Sequence, residues 1–270
     1  MKEDLTLVIY SCGIFSDLWD AHVKLLNQNW PDRSIRTIIL TDSPTEKTFE
    51  GIEIISAGDG KELTERVRFL LPHLTTEYVL VTLDDYFLTT PISSKAIKRI
   101  VEIMDRNKYD YVRLFDRPHC PLSATNDKDI YTYTLDKDYR VNLYSGIWRR
   151  SFIESTLPET DLNAWEYEVT LTDRARSVNG RCAVSHGNEF PILDVVRKGR
   201  ILPKAWRYLK SHNLYHGNRP RFPYRDYLLL GLKTQSNRLL AKLPAPVYQG
   251  IKSMCVKLGM QSFSAKQNRK

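Results

Sequence analysis

The sequence is short of several things, and each shortage excludes a class of protein. It has four cysteines in 270 residues, Cys12, Cys120, Cys182 and Cys255, with no CxxC pair and no spacing suited to zinc. A disulfide-stapled scaffold is excluded, and a reducing compartment is expected. No long hydrophobic run is present: the longest, Tyr227 to Leu232, is six residues, against the ~20 needed to span a bilayer. The opening Met1-Lys2-Glu3-Asp4 carries acids where a secretory leader carries bases, so the expected location is cytoplasmic. There is no internal repeat and no low-complexity tract. Acidic residues are almost missing from the last quarter. Residues 201–270 hold 14 Lys and Arg against one acid, Asp226, a balance of +13, which leaves −5 on the first 200 residues within a net charge of +8. A mildly acidic body with a strongly basic end points to an anionic partner for that end alone.

What is present is a globular composition, 42% hydrophobic and 27% charged, enough apolar material to bury a core. Leu5 to Tyr10 (LTLVIY) reads as a buried strand ending in the turn Ser11-Cys12-Gly13. Ser16 is placed to cap a following helix, whose apolar face is Leu18, Trp19, Val23, Leu25 and Leu26 and which Pro31 closes. Strands follow at Thr37–Leu40, ending in Thr41-Asp42, and at Gly51–Ser56. Leu63, Val67, Leu70, Leu71 and Leu74 have helical spacing. Tyr78 to Leu83 (YVLVTL) is a further buried strand that runs straight into Asp84-Asp85. A helix over Ser93–Met104 and a strand over Tyr111–Phe115 complete an alternation of strand and helix that predicts a doubly wound sheet. In the second half, Ile130–Leu135 and Tyr139–Tyr144 read as a hairpin turning at Asp136-Lys137-Asp138. A short helix to Thr156, a helix from Asn163 and a strand over Arg181–Ser185 follow. From residue 203 bases and aromatics dominate, which sets the expected boundary between a body at 1–202 and an extension at 203–270.

Three features bear on chemistry. Asp84 and Asp85 sit at the C-terminal end of a buried parallel strand, in the crevice where α/β sheets bind ligands. Two adjacent carboxylates repel unless a cation offsets them, and hard oxygens suit Mg2+ or Mn2+ bound together with a diphosphate. Acids at a strand end also cap helices or face water. Glu166 and Glu168 lie near a helix start beside Trp165 and Tyr167. They diverge on a helix, so at most one enters a given site, as a general base; the alternative is that first-turn acids only favour the helix dipole. His186 follows an expected strand and gains meaning from its company.

That company carries a resemblance. A strand with its turn, a helix, a strand ending in Asp, an Arg-bearing helix, YVLVTLDDYFL, YSGIWRRSFI and NAWEYE occur in that order. Over about residues 5 to 190 this resembles the GT-A fold glycosyltransferases, most of all the family 2-like enzymes of bacterial surface polysaccharide loci. The resemblance implies an α/β, Rossmann-like mixed sheet flanked by helices, with the basic helical extension as its C-terminal tail. It implies transfer of a sugar from a nucleotide-sugar donor to a glycan acceptor, with inversion and a carboxylate base. Asp84 and Asp85 match the family's DxD-type motif, although they are adjacent, and would hold a divalent metal, Mn2+ or Mg2+, with His186 as a further metal or diphosphate ligand. Glu166 matches the family's base, with Glu168 second. Tyr10, Ser11 and Asp42 would line the nucleobase and ribose pocket, and Arg66 would contact the nucleotide. Trp148 and Trp165 would stack on acceptor sugar, or else belong to the core.

The basic end adds an expectation of place. Val247, Ile251, Met254, Cys255 and Leu258 recur at helical spacing beside Lys252 and Lys257, the form of a helix that lies on an anionic membrane surface. A peripheral position at the inner face of the cell membrane, with a lipid-linked glycan as acceptor, follows as an expectation. The alternatives are a nucleic-acid-binding protein that uses the basic tail, a sugar nucleotidyltransferase, and a catalytically dead glycan-binding relative. No nucleic-acid-binding signature is present, and no Gly-rich, Lys-bearing loop follows the first strand.

Overall fold

The computed structural model describes residues 4–115, 121–229 and 231–232, with the single residues 247, 250, 253 and 254. The chain divides into two units: the first runs to Phe222, interrupted at 119–121, and the second takes those three residues and everything from Pro223 onward.

The first half of the first unit alternates as its sequence predicts. β1 is Leu5–Tyr10, α1 Trp19–Asn29, β2 Thr37–Thr41, β3 Glu53–Ser56, α2 Leu63–Leu70, β4 Tyr78–Leu83, β5 Tyr86–Leu88, α3 Ser94–Asn107 and β6 Tyr111–Arg113. Every residue of β1 and β2 is buried, as expected of parallel strands covered on both faces. The Ser93 hydroxyl accepts the Ala96 N–H to open α3, and Lys108, at φ 56°, closes it in the left-handed region. Ser16 is not a cap: it lies inside a 3-10 turn over Gly13–Leu18 that runs directly into α1, whose N-cap position is Leu18 and carries no side-chain capping bond.

The second half adds β7 Ser123–Ala124, β8 Ile130–Thr132, β9 Gly146–Arg149, α4 Arg150–Thr156, α5 Ala164–Ser177, β10 Cys182–Ser185, β11 Ile192–Asp194, β12 Val196–Arg197, β13 Arg200–Ile201 and α6 Pro203–Ser211. The hairpin expected over 130–144 does not form. β8 pairs with β7 and β10 instead, and Tyr139–Tyr144 is irregular. Its backbone groups are satisfied by side chains rather than by a ladder. Val141 N–H donates to the Thr172 hydroxyl at 3.2 Å, Leu143 N–H to Glu168 at 3.1 Å and Tyr144 N–H to Asn142 at 3.1 Å, while Tyr139 has φ 62°.

Nine strands form one sheet in the order β3-β2-β1-β4-β9-β6-β10-β8-β7. β3, β2, β1 and β4 are parallel, and β9 runs antiparallel between β4 and β6. β9 fits this central position through Gly146, where an added Cβ would lie 2.7 Å from the Tyr111 ring. The core on this sheet joins Leu7, Ile9, Leu80, Val112, Ile147 and Ala183 to Trp19, Leu26, Ile100 and Met104 of α1 and α3. β5 and β11 form a separate antiparallel pair, with Tyr86 opposite Asp194.

Residues 203–222, assigned to the extension from sequence, lie in the first unit. α6 buries Ala205 and Leu209, Ile201 N–H donates to Pro220 O at 2.9 Å and Phe222 N–H to Ile201 O at 2.8 Å. Lys204, Arg207, Lys210 and Arg221 of this stretch are the exposed side of a packed segment. In the second unit, residues 224–229 are helical and Tyr227 N–H donates to Pro223 O at 3.0 Å. Most of the amphipathic stripe expected over 247–258 lies outside the described residues. Among the described residues, no helix is long and apolar enough to cross a membrane.

Candidate active site

Strand order and register decide which side chains meet. β2 lies on one side of β1 and β4 on the other, so the crevice beyond their C-terminal ends is a topological switch point. Tyr10 is level with both Leu40 and Leu83, which brings Ser11, Asp42 and Asp84 to that one edge.

Ser11 organises it. Its buried hydroxyl accepts the Trp19 indole N–H at 2.7 Å and donates to Asp84 Oδ2. Its carbonyl accepts from the Arg66 guanidinium, which is buried and whose Nε has no hydrogen-bond partner. The Asp84 carbonyl accepts from His22 Nδ1 at 3.0 Å, and burial lowers His22 to a pKa of about 4, so its ring is neutral. Asp42 pins the next loop: its Oδ1 accepts the Gly13 N–H at 2.6 Å and the Ser43 hydroxyl at 3.3 Å. A Cβ at Gly13 would lie 2.7 Å from Ser43 Oγ, so the close approach needs glycine.

The carboxylates here resist ionisation. Burial raises Asp84 to about 7, against the opposing pull of the Ser11 hydrogen bond and the charges of Arg219 and Arg66. Burial, then the charges of Asp84 and Asp194, raise Asp85 well above the usual range. Asp194 arrives through β11, since Val195 N–H donates to Asp85 O at 2.9 Å. Arg219 returns from the far end of the unit. Its Nε and Nη2 grip Asp17 at 2.7 Å each, Nη2 also donates to Ile14 O at 2.5 Å, and the guanidinium lies 4.3 Å over the Phe15 ring. Tyr215 adds a 2.8 Å hydrogen bond to Asp17. Burial opposes the ionisation of Asp17, but these bonds outweigh it and its pKa falls. A shallow recess of about 360 Å³, lined by Ile14, Ser16, Asp17, Asn218 and Arg219, opens at this tie.

The other residues singled out from sequence lie apart. Glu166 is spent on helix architecture: its carboxylate accepts the Asn163 N–H at 3.2 Å while Asn163 Oδ1 accepts the Glu166 N–H at 3.0 Å, a capping box. Glu168 turns inward. It accepts the Leu143 N–H at 3.1 Å and is raised by burial, and its charge is felt by Tyr86, Tyr111 and Tyr139. Tyr10 is buried near Tyr167. Trp148 is 2% exposed, packed between Tyr111 and Phe152 with ring centroids at 4.4 and 5.9 Å, so it has no face for a sugar. Trp165 is 42% exposed.

His186 stands on the same edge as Asp84 but at a distance. Val81, Gly146, Arg113 and Val184 form one row across the sheet, so three strand spacings, about 14 Å, separate the two ends. Its ring lies 4.8 Å from that of Tyr131. Among the described residues, no three His, Cys, Asp or Glu converge as a metal cluster. The strand-end acids nonetheless fit a hard cation, because crowded, partly desolvated carboxylates are the donor set Mg2+ or Mn2+ accepts when phosphate oxygens fill the remaining positions.

Sequence reasoning gave no role here to His22, Asp194 or Arg219, and read Trp19 only as a core residue. Asp194 and Arg219 reach the site through pairings between distant segments, for which the local pattern holds no signal.

No family model and no curated protein matches the chain. Among solved structures it is similar to S. aureus TarS 1-349 (14% identity, TM-score 0.48, 69% of this chain and 59% of that chain). It is also similar to the mannosyltransferase PcManGT from Pyrobaculum calidifontis in complex with GDP-Man and Mn2+ (12%, 0.49, 96% and 81%). A third is a cytidylyltransferase from Leptospira borgpetersenii serovar Hardjo-bovis (13%, 0.45, 86% and 95%). The chain thus spans 59% of the TarS fragment. Likenesses this distant assign no activity, and the fold stands on its own strand order.

Proposed function

We propose that the chain is a glycosyltransferase that moves a sugar from a nucleotide-sugar donor to a hydroxyl of a glycan acceptor, with inversion and with Glu168 as the base. The observation that carries this reading is the pair Asp84-Asp85 at the switch point between β1 and β4, with Arg66 and Arg219 as the nearby cations. A diphosphate fits there because the guanidinium of Arg66 keeps a buried, unpartnered N–H and because anions bind where fixed donors converge.

Asp85 and Asp194 would hold Mg2+ or Mn2+, which would supply positive charge to the diphosphate oxygens. The chain's own residues do the rest. Arg66 and Arg219 bind and neutralise the leaving diphosphate, while Ser11 and Trp19 fix the orientation of Asp84. The acceptor oxygen bonds to the anomeric carbon as the bond to the diphosphate oxygen breaks, and the acceptor proton passes to Glu168. A carboxylate raised by burial is the better base for that proton. Glu166, the residue matched by the family resemblance, is bound into its capping box, which favours Glu168.

The test is a panel of UDP-, GDP-, CMP- and dTDP-sugars read by thermal stabilisation with and without Mn2+. One donor should raise the melting temperature, and Asp85→Ala should abolish the Mn2+ dependence. If no nucleotide sugar shifts the transition, the reading fails. Release of pyrophosphate from a nucleoside triphosphate and a sugar phosphate would favour a nucleotidyltransferase instead. The basic end, +13 over 201–270, supports a lipid-linked acceptor at an anionic membrane face. Sedimentation with anionic but not neutral vesicles is the expected outcome, and equal sedimentation with both would remove it.

A further inference from the structure

We propose that the β12–β13 hairpin and the exposed side of α6 form a surface by which the first unit rests on the anionic headgroups of a membrane. This deepens the reading of a lipid-linked acceptor and rests on it, and it brings the contact from the far basic end into the body of the protein. Residues 195–222 hold eight Lys and Arg and no Asp or Glu, and all of them belong to the first unit.

Local geometry concentrates these charges. β12 and β13 are joined by Lys198-Gly199, at φ 51° and 71°, the kind of two-residue turn that follows the twist of a hairpin. Val196 and Ile201 pair across it and are buried. Arg197 and Arg200, the next pair, therefore project together to the opposite side and are exposed. Directly opposed side chains have Cβ atoms about 5 Å apart, and like charges there repel. Among the described residues, no acid pairs with Arg197, Arg200, Lys204 or Lys210, so the counter-charge has to come from outside the chain. On α6, Lys204, Arg207 and Lys210 recur every third residue, on the side away from the buried Ala205 and Leu209. The helix is tied to the hairpin by Leu202 N–H, which donates to Val195 O at 2.9 Å. Arg221, whose neighbour Pro220 accepts the Ile201 N–H, lays its guanidinium 4.1 Å from the centre of the Trp206 ring.

The aromatic rings among the bases separate a lipid surface from a nucleic acid. Trp206 carries the Arg221 guanidinium on its ring, and Tyr208 stacks on His212 with centroids 4.2 Å apart and planes 28° apart. Rings so engaged are poor platforms for nucleic-acid bases, whereas half-buried Trp and Tyr beside cations suit the headgroup level of a bilayer. The second unit, taken by itself, exposes Tyr224, Leu228, Leu229 and Leu232, aliphatic surface that a lipid interface can bury and a nucleic acid cannot.

The experiment is sedimentation of the full chain with vesicles of phosphatidylglycerol and phosphatidylcholine, and with vesicles of phosphatidylcholine alone. Each base near an anionic leaflet contributes about fivefold in affinity, so Arg197→Gln with Arg200→Gln should weaken binding to the anionic vesicles by about 25-fold. Lys204→Gln with Lys210→Gln, a second pair on α6, should do the same. Lys24→Gln with Lys98→Gln, an equal loss of charge at exposed positions elsewhere in the unit, should leave binding within about twofold of wild type. The melting temperature without lipid should not fall in the hairpin pair, because the substitutions relieve repulsion. Unchanged vesicle binding in both the hairpin and the α6 pairs, an equal loss in the Lys24 and Lys98 pair, or tighter binding to polyuridylate than to anionic vesicles would overturn the surface. Failure of the wild type to bind anionic vesicles would overturn it together with the lipid-linked acceptor. Vesicle binding that responds as expected, with no nucleotide sugar shifting the melting temperature, would keep the surface and overturn the transferase reading, so the two failures are distinguishable.

Discussion

The two groups of carboxylates are alike in one respect and opposite in another. Burial is the main reason that Asp84, Asp85 and Glu168 all hold their protons more tightly than usual. Around Asp84 and Asp85 stand two guanidinium groups and further carboxylates; around Glu168 stand tyrosines and a single backbone N–H. The first environment suits an anion arriving with its own cation, and the second suits a neutral hydroxyl about to lose a proton. Desolvation alone therefore does not define a role for a carboxylate; the neighbours do.

Substitutions can break the comparison on either side. The largest expected effect is on turnover. Glu168→Gln should lower the rate of sugar transfer by about 10²- to 10⁴-fold while nucleotide-sugar binding is retained, and a rate within a few-fold of wild type would remove Glu168 from the chemistry. The donor side is sharpened by pH. Asp84 is raised from 3.8 to about 7, chiefly by burial, so the folded chain keeps a proton that the unfolded chain has released. Its contribution to stability is therefore greatest below 3.8 and declines as pH rises to about 7, by something on the order of 3 kcal/mol. Asp84→Asn should flatten the stability profile across that window in denaturant titrations, and a profile of unchanged slope would contradict the assignment. Arg219→Ala should destabilise the unit by about 1–2 kcal/mol through the lost grip on Asp17, and should weaken donor binding, read as a smaller nucleotide-sugar shift in melting temperature. The smallest effect is expected from Glu166→Gln. It should cost about 0.5 kcal/mol of α5 stability, seen as a slight fall in melting temperature, with transfer unaffected.

The parallel half of the sheet was legible because its signals are local. LTLVIY and YVLVTL are near-continuous apolar runs, and Asp84-Asp85 is visible as charge at the end of such a run. The irregular stretch 139–144 was not legible, because an alternating pattern suggests a strand whereas the partners of its N–H groups are Thr172 and Glu168 on α5. Glu166 and Glu168 were both visible as acids near a helix start, and only the Asn163 capping box of the one and the Leu143 contact of the other separate their surroundings. The sequence left Trp148 and Trp165 alike between a sugar-stacking and a core role, because burial on a central strand leaves no mark that distinguishes a buried Trp148 from an exposed Trp165. The division near residue 203 followed composition, whereas the body continues to Phe222 because a basic segment can still bury Ala205 and Leu209.

The tie between Asp17 and Arg219 joins residues 202 positions apart. During synthesis the strands and helices of the first half emerge early and can pair as they appear, but the loop after β1 waits for residue 219 to clear the ribosome. The nascent chain therefore carries the strand-end acids before it carries the cation that ties down Asp17 in the loop beside them. A chain cut short anywhere between β13 and Tyr215 would keep the pairings of the main sheet and lack that fastening, so the site is finished only once Arg219 has been made rather than where its carboxylates are encoded.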